Sequence, residues 1–109
     1  MTDPTPSQTL RAAATRLREL AAKSNPGPWH KTDSGFGVRS SNGTNVVTDE
    51  DLQHGGTDDA DWIASMSPVV AKPLAAWLED TARLIDQWLL STGAAVEGVA
   101  FAHSILEQP

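Results

Sequence analysis

The chain has no cysteine and no tyrosine, and only two phenylalanines occur among its 109 residues. Without cysteine it cannot form a disulfide bond, bind zinc through thiolates or use a thiol nucleophile. The same absence favours a cytoplasmic setting, because structural disulfides belong to oxidising compartments.

Long hydrophobic runs and basic residues are also scarce. No apolar stretch approaches the roughly 18 residues that a membrane span needs, and the N-terminal MTDPTPSQ lacks the regions of a signal peptide. We therefore expect no membrane partner. Eight Lys and Arg stand against fourteen Asp and Glu, a net charge of −6. This charge opposes attraction to a phosphate backbone and makes nucleic acid a disfavoured partner.

What remains is the composition of an ordinary globular domain. Hydrophobic residues make up 39% and charged residues 20% of the chain. This length suits one core, so we expect a single domain over residues 1–109, with residues 1–5 as a flexible N-terminus.

A helix is predicted over residues 6–24. Thr5 can cap it, Pro6 suits the first helical position and Gln8 can complete a capping box. Its apolar residues recur at helical spacing: Leu10, Ala13, Ala14, Leu17, Leu20 and Ala21.

The stretch NPGPWH ends that helix and leads into a small sheet. Pro26 and Pro28 stop a helix, and Gly27 permits a sharp turn. Residues 29–49 lose the helical period, so a small three-stranded antiparallel sheet is predicted there, with residues 29–33 as its first strand.

The pair Asn42-Gly43 is typical of a two-residue type I′ turn between two strands. That turn would place Val38 opposite Val47 and Arg39 opposite Val46. The apolar face of the sheet would then carry Phe36, Val38 and Val47.

Residues 50–57 form a predicted acidic loop, and a short helix is predicted over residues 58–66. Thr57 would cap that helix, with Asp58 and Asp59 in its first turn, where carboxylates favour the helix dipole. Its apolar side is expected to consist of Trp62, Ile63 and Met66.

A long helix is predicted over residues 68–91, with Ser67 as its cap and Gly93 as its stop. Pro73 predicts either a kink or a late start. A last helix is predicted over residues 94–107. The resulting fold is α+β: an N-terminal helix, a three-stranded antiparallel meander, then a short, a long and a C-terminal helix packed on the sheet.

Several of these fragments together resemble a known family. They are LRAAATRLRELA, NPGPW, NGTNVV, DADWIASMSPVVAKPLAAWLE and VAFAHSILE. The chain resembles the Ead-like early accessory proteins of phages and prophages, especially relatives in actinobacteria and actinophages that carry TPGPW and DAxxIA motifs. Asn25 stands where those relatives carry threonine, whereas Asp61, Ile63, Ala64 and Pro68 match their pattern.

The resemblance implies a small accessory protein in the cytoplasm of a host bacterial cell. The family has no established activity and supplies no catalytic residues. A host or phage protein is therefore the expected partner of the chain.

Side chains that could bind a metal or move a proton are present, but their spacing matches no recognised site. They are His30, Asp33, Asp49, Asp51, His54, Asp58, Asp59 and Asp61. We therefore expect no metal site, no cofactor and no catalytic residue. His103 lies on the apolar face of the last helix and is expected to be partly buried.

The four tryptophans carry the two functional hypotheses. Trp77 and Trp88 fall on one side of the predicted long helix and are interpreted as core or interface residues. With Phe101 and Ile105 they form a candidate interface, which includes a possible homodimer.

The leading hypothesis is a non-enzymatic protein that binds a host or phage protein. The alternative is a small-ligand or nucleotide-binding protein, or a weak hydrolase, with a pocket formed by Trp29, His30, Asp61 and Trp62. Packing of Trp29 onto the core is the competing interpretation of that residue.

Overall fold

The computed structural model describes residues 3–48 and 57–108. Apart from the backbone of Thr57, the predicted acidic loop 50–57 lies outside these ranges, as do Asp49, Asp51 and His54. The predicted cap by the Thr57 side chain also lies outside the described part. No helix within the described ranges is long and apolar enough to cross a membrane.

The elements follow the predicted order and define an α+β fold. Helix α1 is followed by strands β1, β2 and β3 and by helices α2, α3 and α4. Their bounds are Pro6–Lys23, Trp29–Lys31, Val38–Ser40, Asn45–Val47, Thr57–Ser65, Ala71–Asp86 and Val96–Leu106. Two 3-10 helices, Pro68–Val70 and Gly93–Ala95, precede α3 and α4.

The chain divides into two compact units. The first consists of Met1–Leu20 and Lys72–Pro109, and the second of Ala21–Ala71. The single domain over residues 1–109 stays a prediction.

In the first unit, the predicted capping box begins α1. The Gln8 amide donates to the Thr5 hydroxyl at 3.2 Å, and the Gln8 side-chain oxygen accepts from the Thr5 amide at 2.9 Å. Two amides that the first helical turn leaves without partners are thereby satisfied.

The core of the first unit consists mainly of alanine and leucine. Its fully buried members come from α1, α3 and α4: Leu10, Ala13, Ala14, Ala75, Leu78, Ala82 and Ala102. Small side chains at these positions let helices approach closely. The Ser7 hydroxyl also donates to the Ala82 carbonyl at 3.3 Å, which joins α1 to α3.

Helix α3 is shorter than predicted at both ends. It starts late, after the 3-10 helix, so Pro73 is its third residue, where no helical acceptor is needed for the missing amide. It ends at Asp86 and not at residue 91, because Trp88 adopts a φ of +61°. The Trp88 amide donates to the Ile85 carbonyl at 3.0 Å and the Leu89 amide to the Leu84 carbonyl at 2.9 Å. These two bonds form a Schellman motif, in which glycine usually occupies the position of Trp88.

The predicted role of Gly93 as a helix stop is wrong, since Gly93 begins the second 3-10 helix. That helix leads into α4, which begins at Val96. His103 is exposed and not partly buried as expected.

In the second unit, the three strands form an antiparallel sheet in the order β1-β2-β3, as predicted. Strand β1 ends at Lys31, two residues before the predicted end. Val38 pairs with Val47 as predicted, but Arg39 pairs with Asn45 and not with Val46. Val46 is therefore the extra residue of a β-bulge.

The hairpin turn explains this bulge. The Ser40 amide donates to the Thr44 carbonyl at 2.8 Å, so the loop has three residues and not two. Only Gly43 in the loop has a positive φ, +86°, which excludes the predicted type I′ turn. The Asn42 side-chain oxygen instead accepts the Thr44 amide at 3.0 Å. The Asn42 side chain thus favours a loop that is one residue longer than predicted, with Gly43 in its left-handed position. The bulge at Val46 offsets this extra loop residue and restores the pairing of Val38 with Val47.

Helix α2 packs against β1 and β2. Its fully buried residue is Ala60, and Ile63 is half-buried. The prediction that Trp62 and Met66 share the packed side is wrong, because both are exposed. The close approach of helix and sheet suits the small side chain of Ala60 better than an indole ring.

Candidate functional site

The residues predicted to bind a small ligand lie on β1 and α2. Trp29 is half-buried, and its indole N–H donates to the Asn25 carbonyl at 3.1 Å. The one polar group of this ring is therefore already bonded within the NPGPWH turn. His30, the next residue, is exposed.

Packing of α2 on the sheet brings Asp61 close to β1. The Asp61 carboxylate lies 2.9 Å from the Lys31 ammonium, with both side chains partly exposed. Trp62 is 70% exposed. Asp61 thus pairs with Lys31, the residue after His30, whereas most of the Trp62 side chain is exposed to solvent. A ligand site formed by the four residues stays a prediction.

A cleft of about 360 Å³ that includes His30 is lined by β1, by the turn after it and by residues of β2. Its polar lining includes His30, Lys31, Asp33 and Arg39, but not Trp29, Asp61 or Trp62. The Arg39 Nε also donates to the side-chain oxygen of Asn45 on β3 at 3.2 Å. Sequence reasoning missed Lys31 and Arg39. Arg39 pairs with His30 across β1 and β2, and only the register of these two strands, which the sequence did not specify, brings them together.

The predicted interface residues of the first unit differ in exposure. Trp77 is 51% exposed, with one edge of its ring over Gly98 of α4. Phe101 and Ile105 are half-buried, and Phe101 packs against the alanine and leucine core. Trp77 and Phe101 therefore contribute to the fold as well as to the surface.

Trp88 is the most exposed large apolar residue in the described ranges, at 94%. Leu89 beside it is 70% exposed. Trp88 was interpreted as a core or interface residue; its exposure excludes the core, and its place in an interface stays a prediction. Because α3 ends before Trp88, the helical spacing that placed it on the same side as Trp77 does not apply.

An apolar hollow of about 540 Å³ lies against Trp88. It is lined by Pro6 and Ser7 of α1, by Ile85 and Asp86 of α3, and by Leu90 beyond them. An apolar group seated there would contact both the indole ring and the aliphatic wall.

Asp86, at the edge of this hollow, forms an ion pair with Arg11 of α1 at 2.6 Å. Hydrogen bonds from the Ser7 hydroxyl and the Arg11 guanidinium, in that order, lower the pKa of this carboxyl below its ordinary value of 3.8. The carboxylate is therefore ionised around neutral pH and remains so into moderately acidic solution.

Within residues 3–48 and 57–108, no three His, Asp or Glu side chains are grouped so that they could hold a metal ion. The candidate histidines His30 and His103 are both exposed.

No family model, curated protein or solved structure matches the chain.

Proposed function

We propose that this chain is a small, non-enzymatic accessory protein that acts by binding another protein. From the resemblance to phage accessory proteins, we infer that the partner is a host or phage protein. The observation that carries the proposal is Trp88, an indole 94% exposed on a backbone with a φ of +61°.

A left-handed backbone costs a non-glycine residue about 1–2 kcal/mol. Trp88 gains little in return within its own chain, since almost all of its surface faces solvent. Strained residues of this kind concentrate at binding sites, where the strain sets the direction of a side chain. Here the left-handed backbone follows the end of α3 and leaves the indole almost fully exposed.

Tryptophan is also among the residues that contribute most to the binding energy of protein interfaces, because one ring buries a large apolar area. Leu89 and the adjoining hollow extend the apolar surface around it. A protein partner that inserts an apolar side chain into the hollow would cover Trp88 at the same time.

The test is affinity capture from lysates of uninfected and phage-infected host bacteria, using the intact chain and Trp88→Gly as baits. Glycine suits the left-handed position, so this variant keeps the end of α3. Lys72→Ala, a change at an exposed residue, is the matched control. We expect the same protein in replicate captures with the intact chain and the control, and a loss of about tenfold or more with Trp88→Gly. Failure to capture any protein reproducibly, or equal capture by Trp88→Gly, would contradict the proposal.

A further inference from the structure

Helix α2 presents its largest apolar side chains to solvent. Ala60 is fully buried against the sheet, whereas Trp62 is 70% and Met66 46% exposed. Met66 is the residue after α2, and its amide donates to the Trp62 carbonyl at 3.2 Å, so it continues the last helical turn and lies on the same side as Trp62. The packing of α2 in the second unit buries Ala60 but leaves most of the Trp62 side chain and nearly half of Met66 exposed.

Carboxylates surround this exposed pair. Asp58 and Asp59 lie in the first turn of α2, four and three residues before Trp62, and Asp61 precedes it directly. All three are exposed. We call Asp58, Asp59, Asp61, Trp62 and Met66 the outer face of α2.

The charge on the outer face is only partly neutralised. Asp61 is paired with Lys31. Asp58 and Asp59 form no ion pair with a cation of the described ranges. Carboxylates at a helix N-terminus stabilise the helix through its dipole. That effect explains Asp58 and Asp59 but not the exposure of Trp62 and Met66 beside them.

We propose that the outer face of α2 binds a basic segment of the partner protein. Apolar side chains of that segment contact Trp62 and Met66, while its Lys or Arg side chains lie opposite Asp58 and Asp59. The inference rests on the proposed protein-binding function and adds the chemistry of the partner.

Charge complementarity selects this occupant over others. A phosphate backbone or an anionic membrane surface would be repelled by the three carboxylates. A second copy of the chain would bring three more carboxylates to the face. The last turn of α2 has no basic residue that could offset them. A cationic, partly apolar polypeptide satisfies both the charge and the apolar surface.

The first experiment selects binders of the intact chain from a displayed library of random peptides about 16 residues long, enough for a few helical turns or an extended segment. We expect selected peptides that combine at least two large apolar residues with several Lys or Arg. Their affinity should fall about tenfold or more for Trp62→Ser and for Met66→Ser. Val69→Ser, a change at another exposed apolar residue of the same unit, is the matched control and should retain binding.

The second experiment measures the contribution of the Asp58 and Asp59 charges to peptide binding. Asp58→Asn combined with Asp59→Asn should weaken the selected peptides several-fold at about 0.05 M salt and hardly at all at about 0.5 M, where screening is strong. Circular dichroism of each variant checks that the helix content of the chain is unchanged. Selection of no peptide, selection of acidic peptides, or binding that Trp62→Ser leaves unchanged would overturn the inference. A concentration-dependent dimer of the intact chain that Trp62→Ser abolishes would also overturn it, because a second copy would then cover the face.

The two proposals can fail separately. If the lysate partner is lost with Trp88→Gly but retained with Trp62→Ser and Met66→Ser, the protein-binding function stands and the outer face of α2 is not its site. If no partner is captured with any bait, the protein-binding function itself fails.

Discussion

At the scale of single residues, Gly27 shows how closely the turn before β1 approaches the first 3-10 helix. A Cβ at Gly27 would lie 2.6 Å from the Val69 side chain and 3.1 Å from the Val69 backbone nitrogen. Sequence reasoning assigned Gly27 to the turn between two prolines, but the reason for glycine is the space that Val69 occupies. Residues about forty positions apart meet here, which no local pattern reveals.

We expect Gly27→Ala to lower the free energy of unfolding by about 1–3 kcal/mol, since overpacking forces the backbone or Val69 to shift. Urea denaturation at constant m-value measures the change. A variant as stable as the parent would show that the turn has more room than this geometry allows.

Gly98 provides the opposite case. A Cβ there would meet Leu10 at 3.6 Å and Trp77 at 3.7 Å, which are ordinary contact distances. Because Gly98 lies inside α4, we expect Gly98→Ala to raise the free energy of unfolding by about 0.5–1 kcal/mol. Thermal unfolding followed by circular dichroism tests this, and a lower melting temperature would contradict it.

The left-handed backbone of Trp88 should lower the stability of the chain by a measurable amount. Replacement of this left-handed, exposed residue by glycine should raise the free energy of unfolding by about 0.5–1 kcal/mol, since relief of strain exceeds the extra chain entropy of glycine. Gln87→Gly is the matched control: Gln87 has no positive φ, so that change should destabilise the chain. Equal destabilisation by both changes in urea denaturation would refute the strain on Trp88.

At the scale of elements, α1 shows how far a sequence can predict local structure. Its capping residues and apolar spacing are local features, and both predictions are confirmed in the helix Pro6–Lys23. Helix α3 shows the limit, because it ends at a tryptophan in a position that usually belongs to glycine. No local residue preference marks that end.

Removal of the α1 cap should destabilise the first unit. We expect Thr5→Ala to lower the free energy of unfolding by about 1 kcal/mol, because the Gln8 amide loses its acceptor. Thr15→Ala, a change of the same residue type at an exposed position inside α1, should change stability by less than about 0.5 kcal/mol. Chemical denaturation of both variants makes the comparison, and equal effects would rule out a specific role for the cap.

At the scale of the whole molecule, the net charge of −6 and the exposed tryptophans determine what the surface can bind. The charge was evident from composition, whereas the exposure of Trp62 and Trp88 was not. Apolar residues at helical spacing are normally assigned to a core. Whether a particular one is covered depends on which elements pack against it.

Stability of the whole chain should depend on pH through Asp86. Hydrogen bonds from Ser7 and Arg11 lower the pKa of its carboxyl in the folded state, so the ionised form stabilises the fold. That contribution is fully present above the ordinary pKa of 3.8 and is lost as pH falls through the lower folded-state pKa. We therefore expect Asp86→Asn to be less stable than the parent near neutral pH and the difference to shrink in strong acid.

Urea denaturation of the two proteins across the acid range measures this difference. Ser7→Ala, which removes the larger cause of the shift, should bring the folded-state pKa of Asp86 closer to 3.8, so that the acid loss of stability is smaller and is complete at a higher pH. A stability difference that is the same at every pH would show that the charge of Asp86 is not involved.

The sequence by itself determined the class of fold, the order of the elements, the cap of α1 and the pairing of Val38 with Val47, since helical period, capping and strand alternation act over a few residues. The tertiary structure alone decided the end of α3 at Asp86 and which tryptophans face solvent. Those features depend on contacts and on backbone conformations that local residue preferences do not specify. The two surfaces proposed to bind a protein, at Trp88 and on the outer face of α2, both belong to this second group.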